Sequence, residues 1–218
     1  MLKTRQEIKA IAKDSMKAQW GTSIGALILY FVIAGVIGAL SGVISVFVPA
    51  LSILTTLAIY FIVIPLGVNL EGMFAQIYRR EQTNVGEMFS KFSVNYLRKV
   101  GGMFLVGLFA MLWSLLLIVP GIIKGIAYSM TPFILAECPN VTATDAIKLS
   151  MRMTKGHKGK LFVMMLSFIG WYLLSGLTLG ILAIVFVNPY YYTTYAGFYV
   201  ELKENAIANG TIDASEFA

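Results

Sequence analysis

Residues 3–48 read KTRQEIKAIAKDSMKAQWGTSIGALILYFVIAGVIGALSGVISVFV, and the seam inside that stretch decides the fold. Up to residue 17 it carries Lys3, Arg5, Lys9, Lys13 and Lys17; from Gly21 to Val48 it carries no charge. A helix needs about 20 apolar residues to cross ~30 Å of hydrocarbon, so residues 21–48 are long enough to span a bilayer. The charged half has two faces. Ile8, Ala12, Met16 and Trp20 recur at i,i+4 with Ile11 beside them, and Arg5, Lys9, Lys13 and Lys17 form the adjacent stripe. Such a helix is expected to lie in the headgroup plane, apolar face down and cations on lipid phosphate, or to serve as an elbow orienting the hairpin that follows.

The alternation recurs along the chain. Apolar runs occupy 21–48, 50–70, 101–119, 121–137, 160–179 and 181–200, with Pro49 separating the first two and turns expected at Pro120–Gly121 and Gly180. Fifteen of the seventeen Lys and Arg fall in three groups: the first just quoted, then Arg79, Arg80, Lys91, Arg98 and Lys99, then Lys148, Arg152, Lys155, Lys158 and Lys160. Six crossings put all three groups, Lys203 and both termini on one side, leaving only Lys124 for the other, as the positive-inside rule requires of cytoplasmic loops. Only 13% of the 218 residues are charged and 58% are hydrophobic, against about 25% charged in ordinary soluble domains. The expected fold is therefore all-α, a single polytopic membrane domain over 1–203 with a short polar cytoplasmic tail over 204–218. The net charge of +6 lies beside membrane-length segments, so anionic lipid headgroups are the expected partner and nucleic acid is not. Residues 1–20 are too charged for the apolar core of a cleavable signal.

The basic groups share a plan. Each opens on a side-chain acceptor followed three residues later by an acid, Thr4/Glu7, Asn84/Glu87 and Thr142/Asp145, a pattern that caps helix starts. Seventeen residues after each acceptor stands a glycine (Gly21, Gly101, Gly159), and each return span holds a proline (Pro65, Pro132, Pro189) followed by an acid (Glu71, Glu137, Glu201). Three parallel repeats are expected, over about 1–78, 84–137 and 142–203, each a cytoplasmic amphipathic helix followed by a transmembrane hairpin.

Few residues offer chemistry. One cysteine, Cys138, excludes an internal disulfide, and one histidine, His157, excludes the usual His/Cys metal clusters. No phosphate loop or paired-carboxylate site appears, so neither enzyme activity nor a cofactor is expected. Lys124 either binds an anionic group or snorkels to the outer headgroups. Asn188, Tyr192 and Tyr195 either line a cavity with it or pack between helices. Glu71, Glu137 and Glu201 form an inner acidic ring or pair with cytoplasmic arginines. Arg5, Lys9, Lys13, Lys17, Arg98, Lys99, Lys158 and Lys160 are the expected headgroup contacts.

The wording IVPGIIKGIAYSMTPFILAE (118–137), AIKLSMRMTKGHKGKLF (146–162), SFIGW (167–171) and NPYYYTTYAGFYVEL (188–202) resembles the bacterial integral-membrane family catalogued as domain of unknown function 975. It is similar in plan to the membrane domain of some glycerophosphodiester phosphodiesterases, whose catalytic domain has no counterpart here. The resemblance implies a protein of a Gram-positive cytoplasmic membrane and supplies no catalytic residues. The expected role is a non-enzymatic, lipid-contacting accessory or scaffold, with a possible membrane-protein partner. The alternative is a small transporter or channel with a cavity between the hairpins.

Overall fold

The computed structural model describes residues 2–217, with all side chains among them except those at positions 49, 52 and 58. Its regular elements are helical: α1 Arg5–Ala18, α2 Trp20–Phe47, α3 Ser52–Tyr78, α4 Glu87–Ser90, α5 Tyr96–Leu116, α6 Ile118–Tyr128, α7 Thr131–Glu137, α8 Ala143–Thr154, α9 Lys158–Leu166, α10 Ile169–Leu177 and α11 Asn188–Ala208. Short 3-10 turns follow α2 and α11, and a π turn over Ala183–Val187 leads into α11.

Five helical stretches are long and apolar enough to cross a membrane: Trp20–Phe47, Ile53–Tyr78, Tyr96–Leu116, Ile118–Glu137 and Lys158–Leu177. The sixth apolar run is also helical, continuously over 181–208. Asn188, three consecutive tyrosines and two threonines make its second half too polar to meet the same standard. The first reversal falls at Pro49–Leu51, as the proline predicts. The second falls at Leu117, whose extended backbone (φ −160°, ψ 142°) separates α5 from α6, three residues before the expected Pro120–Gly121. Proline lacks only an N–H that a helix start leaves unpaired anyway, so Pro120 fits inside the first turn of α6. The third reversal is at Leu179 and Gly180, both with positive φ (51° and 85°), a conformation glycine adopts without strain.

The two ends of the molecule differ in character. At the hairpin tips the apolar side chains face outward: Phe47 is 79% exposed, Ile118 76% and Leu179 95%. Apolar surface on that scale is not tolerated in water. At the end carrying the basic groups a closed core forms around α11. There Tyr199, Phe198, Phe74, Phe133, Ile8, Met16 and Met73 are almost fully buried. α11 is sheathed by α1, α3, α2 and α8, its Tyr195 and Tyr199 rings meet Phe133 of α7, and most of its residues from Pro189 to Leu202 are buried.

The capping patterns do not all produce helices. Thr4 and Glu7 form a full capping box at α1, and Thr142 accepts from the Asp145 N–H at α8. Asn84 makes no side-chain cap; Gly86 occupies the cap position and α4 is a single turn. The stripe on α1 is also placed differently from the expectation of a helix lying on headgroups. Ile8, Ala12 and Met16 are fully buried, because α1 runs antiparallel along α11. Lys3 meets Glu201 at one end, and at the other the Trp20 Nε1 donates to the Val185 carbonyl at 3.2 Å. Protein, not lipid, covers that face. The expected polar tail likewise folds back. Arg152 forms a two-pronged pair with Glu216 and donates to the Thr211 carbonyl, and Ile212 and Phe217 are buried.

Candidate functional site

The prolines of the return spans act differently. Pro65 lies inside a continuous α3, whereas the α6–α7 run breaks at Ser129–Met130, with Pro132 in the first turn of α7. A helix broken within an apolar run must satisfy its freed backbone groups from elsewhere. Ser150 on α8 does this twice: its Oγ accepts from the Met130 N–H at 3.1 Å and donates to the Ala127 carbonyl at 2.7 Å. Tyr195 donates to the Ser129 carbonyl at 3.2 Å. Ser150 is thus a clamp on the break, with no nucleophilic setting.

On α3, Gly67, Glu71, Phe74 and Tyr78 recur at helical spacing and face α2 and α11. A Cβ on Gly67 would lie 3.1 Å from the Tyr30 hydroxyl, Phe74 stacks on Tyr192 with centroids 5.4 Å apart, and Tyr78 packs against Gly197. Glu71 stands between these contacts. It is half-buried, and its Oε2 is sealed without a hydrogen-bond partner.

The other two acids are satisfied. Glu137 receives both Arg79 prongs, at 2.5 and 3.0 Å, the Tyr199 hydroxyl at 2.9 Å, and Lys203 at 3.5 Å. Glu201 accepts from Lys3 at 2.5 Å and Tyr78 at 3.1 Å. That bond to Glu201 holds the Lys3 ammonium above its usual range. The acids therefore clasp the end of α3, Tyr78 to one and Arg79 to the other, rather than ringing a shared opening. Beside them a cavity of about 650 Å³, lined by Asn69, Gln76, Arg79, Lys91, Glu137 and Lys203 among others, opens at the basic end. Lys91 pairs with Glu87 and keeps that carboxyl below the usual range.

The four expected cavity residues do not converge. The Lys124 ammonium lies 4.7 Å from the Trp113 ring centre, on the α5–α6 hairpin. Asn188 accepts from Tyr172 at 3.1 Å, while Tyr192 and Tyr195 face α3 and the α6–α7 break.

The expected headgroup cations divide. Lys99 is buried and donates to Asn69 Oδ1 and the Lys91 carbonyl; Arg98 donates to the carbonyls of Leu135, Cys138 and Val141. Both tie loops together, because their side chains turn inward from the first turn of α5. Lys9 donates to Ser167 and lies over the Phe168 ring, and burial lowers its proton affinity. Lys13, Lys17 and Lys160 are exposed, and Arg5 and Lys158 are half-exposed. No group of three metal-ligating side chains occurs among the described residues.

The family model described as "Protein of unknown function (DUF975)" matches residues 1–126 and 114–206, nearly the whole chain. The chain belongs to the DUF975 family. No curated protein and no solved structure matches it. In this DUF975 protein Tyr30 and Tyr78 are site residues that the sequence does not mark by themselves. The i,i+4,i+7,i+11 spacing of Gly67, Glu71, Phe74 and Tyr78 was the available signal, but it does not name the helix opposite.

Proposed function

We propose that this DUF975 protein is a non-enzymatic membrane scaffold that crosses a bacterial cytoplasmic membrane six times, termini inside, and engages anionic lipid. The units 1–78, 84–137 and 142–203 are read as three parallel hairpins, each entered from the cytoplasm. One observation supports the reading: a closed core at the basic end, beyond which apolar helical stretches of membrane length lie largely uncovered. That shape offers surface to lipid and to other membrane proteins. The sixth crossing rests on the continuous helix over 181–208, whose polar half is enclosed by α1, α3 and α7 and need not face lipid.

Lipid retention after purification tests the role. The protein extracted in mild detergent and examined by native mass spectrometry is expected to hold phosphatidylglycerol or cardiolipin in preference to phosphatidylcholine. Equal retention of both classes defeats the proposal. Cysteine labelling at positions 90 and 155 tests the topology, both being expected on the side of the amino terminus.

Glu71 favours a second reading as a transporter, since an unpaired carboxylate between tyrosines is the kind of group that marks an ion path. Proteoliposomes showing a cation or proton flux lost in Glu71→Gln would establish that reading in place of the first.

A further inference from the structure

Between α6 and α9 runs a groove of about 360 Å³ lined by Val119, Ile122, Ile123, Ile126, Gly159 and Phe162, with Lys158 as its sole charged residue. The two helices run in opposite directions, so Lys158 lies with Ile126 at the basic end while Val119 lies toward the hairpin tip. From 119 to 126 the groove follows α6 for about 10 Å, at 1.5 Å per residue. Its walls are open on one side: Val119, Ile122, Ile123 and Phe162 are each more than 40% exposed. Lys155, Lys158 and Lys160 form no ion pair among the described residues. The chain has no acid between Asp145 and Glu201, and none on α6. Asp145, on the neighbouring α8, is already engaged by Lys148 at 2.9 Å.

We infer that this groove is a binding site for one anionic phospholipid of the cytoplasmic leaflet, an acyl chain between α6 and α9 and the phosphate on Lys158. The inference rests on the lipid-engaging reading above and gives it a place and a headgroup sign. A long apolar trough ending in a single uncompensated cation matches the layout of such a lipid, tail first and charge at the interface. A second copy of the chain docking there would bring its own basic end against Lys158, where the fifteen grouped cations outnumber the eleven acids of the chain. Free phosphate would make no use of the trough.

The test uses the full chain in phosphatidylcholine nanodiscs containing a trace of phosphatidylglycerol with a photoactivatable acyl chain. Crosslinks are expected on residues 119–126 and 162. Unlabelled phosphatidylglycerol should compete them away, while phosphatidylcholine and inorganic phosphate should not. Lys158→Glu should weaken labelling by at least about fivefold, the equivalent of about 1 kcal/mol per basic residue near an anionic surface. Ile122→Trp should block the trough, with circular dichroism confirming that the variant remains folded. Labelling equal to that of a phosphatidylcholine probe, or unchanged in Lys158→Glu, overturns the site, as does a chain-to-chain crosslink through the groove. If phosphatidylglycerol labels α1 but not the groove, this site fails and the lipid-engaging reading stands. If no region prefers the anionic probe, both fail.

Discussion

Arg79 and Glu137 meet in a two-pronged ion pair, at 2.5 and 3.0 Å, that joins the residue capping the end of α3 to the last residue of α7. The pair is asymmetric in its surroundings. Glu137 has Lys203 and Tyr199 as further partners, whereas Arg79 has no second acid among the described ion pairs. Removing the acid therefore strands two cations, and removing Arg79 strands none. Glu137→Gln is expected to cost about 2–3 kcal/mol and Arg79→Gln about half as much, since truncating one partner of a shielded pair leaves an uncompensated charge. Thermal unfolding of both variants in the same detergent checks the order; Arg79→Gln proving the worse would refute it.

Glu71 should behave in the opposite way. Its sealed oxygen has no donor, so exchanging the carboxyl group for an amide breaks no hydrogen bond to that oxygen. Glu71→Gln is expected to leave the unfolding midpoint unchanged or raise it. A drop as large as that of Glu137→Gln would mean that Glu71 has a partner supplied from outside the chain.

Gly197 and Tyr78 set the spacing of α11 and α3. A Cβ at residue 197 would sit 2.4 Å from Tyr78 Cε2, inside any permitted contact. Gly197→Ala is expected to destabilise by about 1–3 kcal/mol through overpacking. In a Tyr78→Ala background the loss should largely vanish, which a double-mutant cycle measures as coupling. Additive losses would show that the two helices part without reference to the ring.

Ser150 closes the gap in the α6–α7 run with two hydrogen bonds. Ser150→Ala leaves a buried N–H and reduces the satisfaction of a carbonyl, at a cost of about 1–3 kcal/mol. Hydrogen exchange at Met130 should accelerate while exchange in α2 stays as it was. Uniform acceleration would place the effect elsewhere.

The tail is held by a titratable link. Arg152 and the Asp213 backbone keep the Glu216 carboxyl below the usual range. A lowered carboxylate pKa stabilises the docked form above its unfolded value, ~4.3, and the benefit disappears as pH falls through the lower folded value. Limited proteolysis at residues 209–217 is expected to accelerate below about pH 4 and to be fast at all pH values in Arg152→Ala. Cleavage that does not change with pH would indicate that Ile212 and Phe217 alone secure the tail.

Much of the helix layout was legible because long apolar runs low in charge mark the helices that are long enough to cross a membrane. The long helices α2, α3 and α5 follow their apolar runs closely. What spacing could not supply was which surfaces meet. Ile8, Ala12 and Met16 form the same stripe whether lipid or α11 covers it, and only the packed chain distinguishes the two. Arg98 and Lys99 look like any basic pair at a membrane edge until the carbonyls of α7 and the Asn69 amide come within reach. Glu71 was grouped with Glu137 and Glu201 by its position after a proline, yet only the latter two meet basic residues, because Lys3, Arg79 and Lys203 come from elements distant in sequence. Asn84 failed as a cap where Thr4 and Thr142 succeeded, and the segment after it shrank to one turn.

The burial of α11 has a consequence for biogenesis. Its residues follow the other long segments along the chain and supply the surface on which α1, α3 and α8 assemble. Under the proposed topology the earlier apolar segments enter the bilayer before α11 exists and stay unjoined there until it follows. Insertion and compaction are then separate events in time, and a chain cut short before residue 188 is left with inserted segments and no hub to gather them.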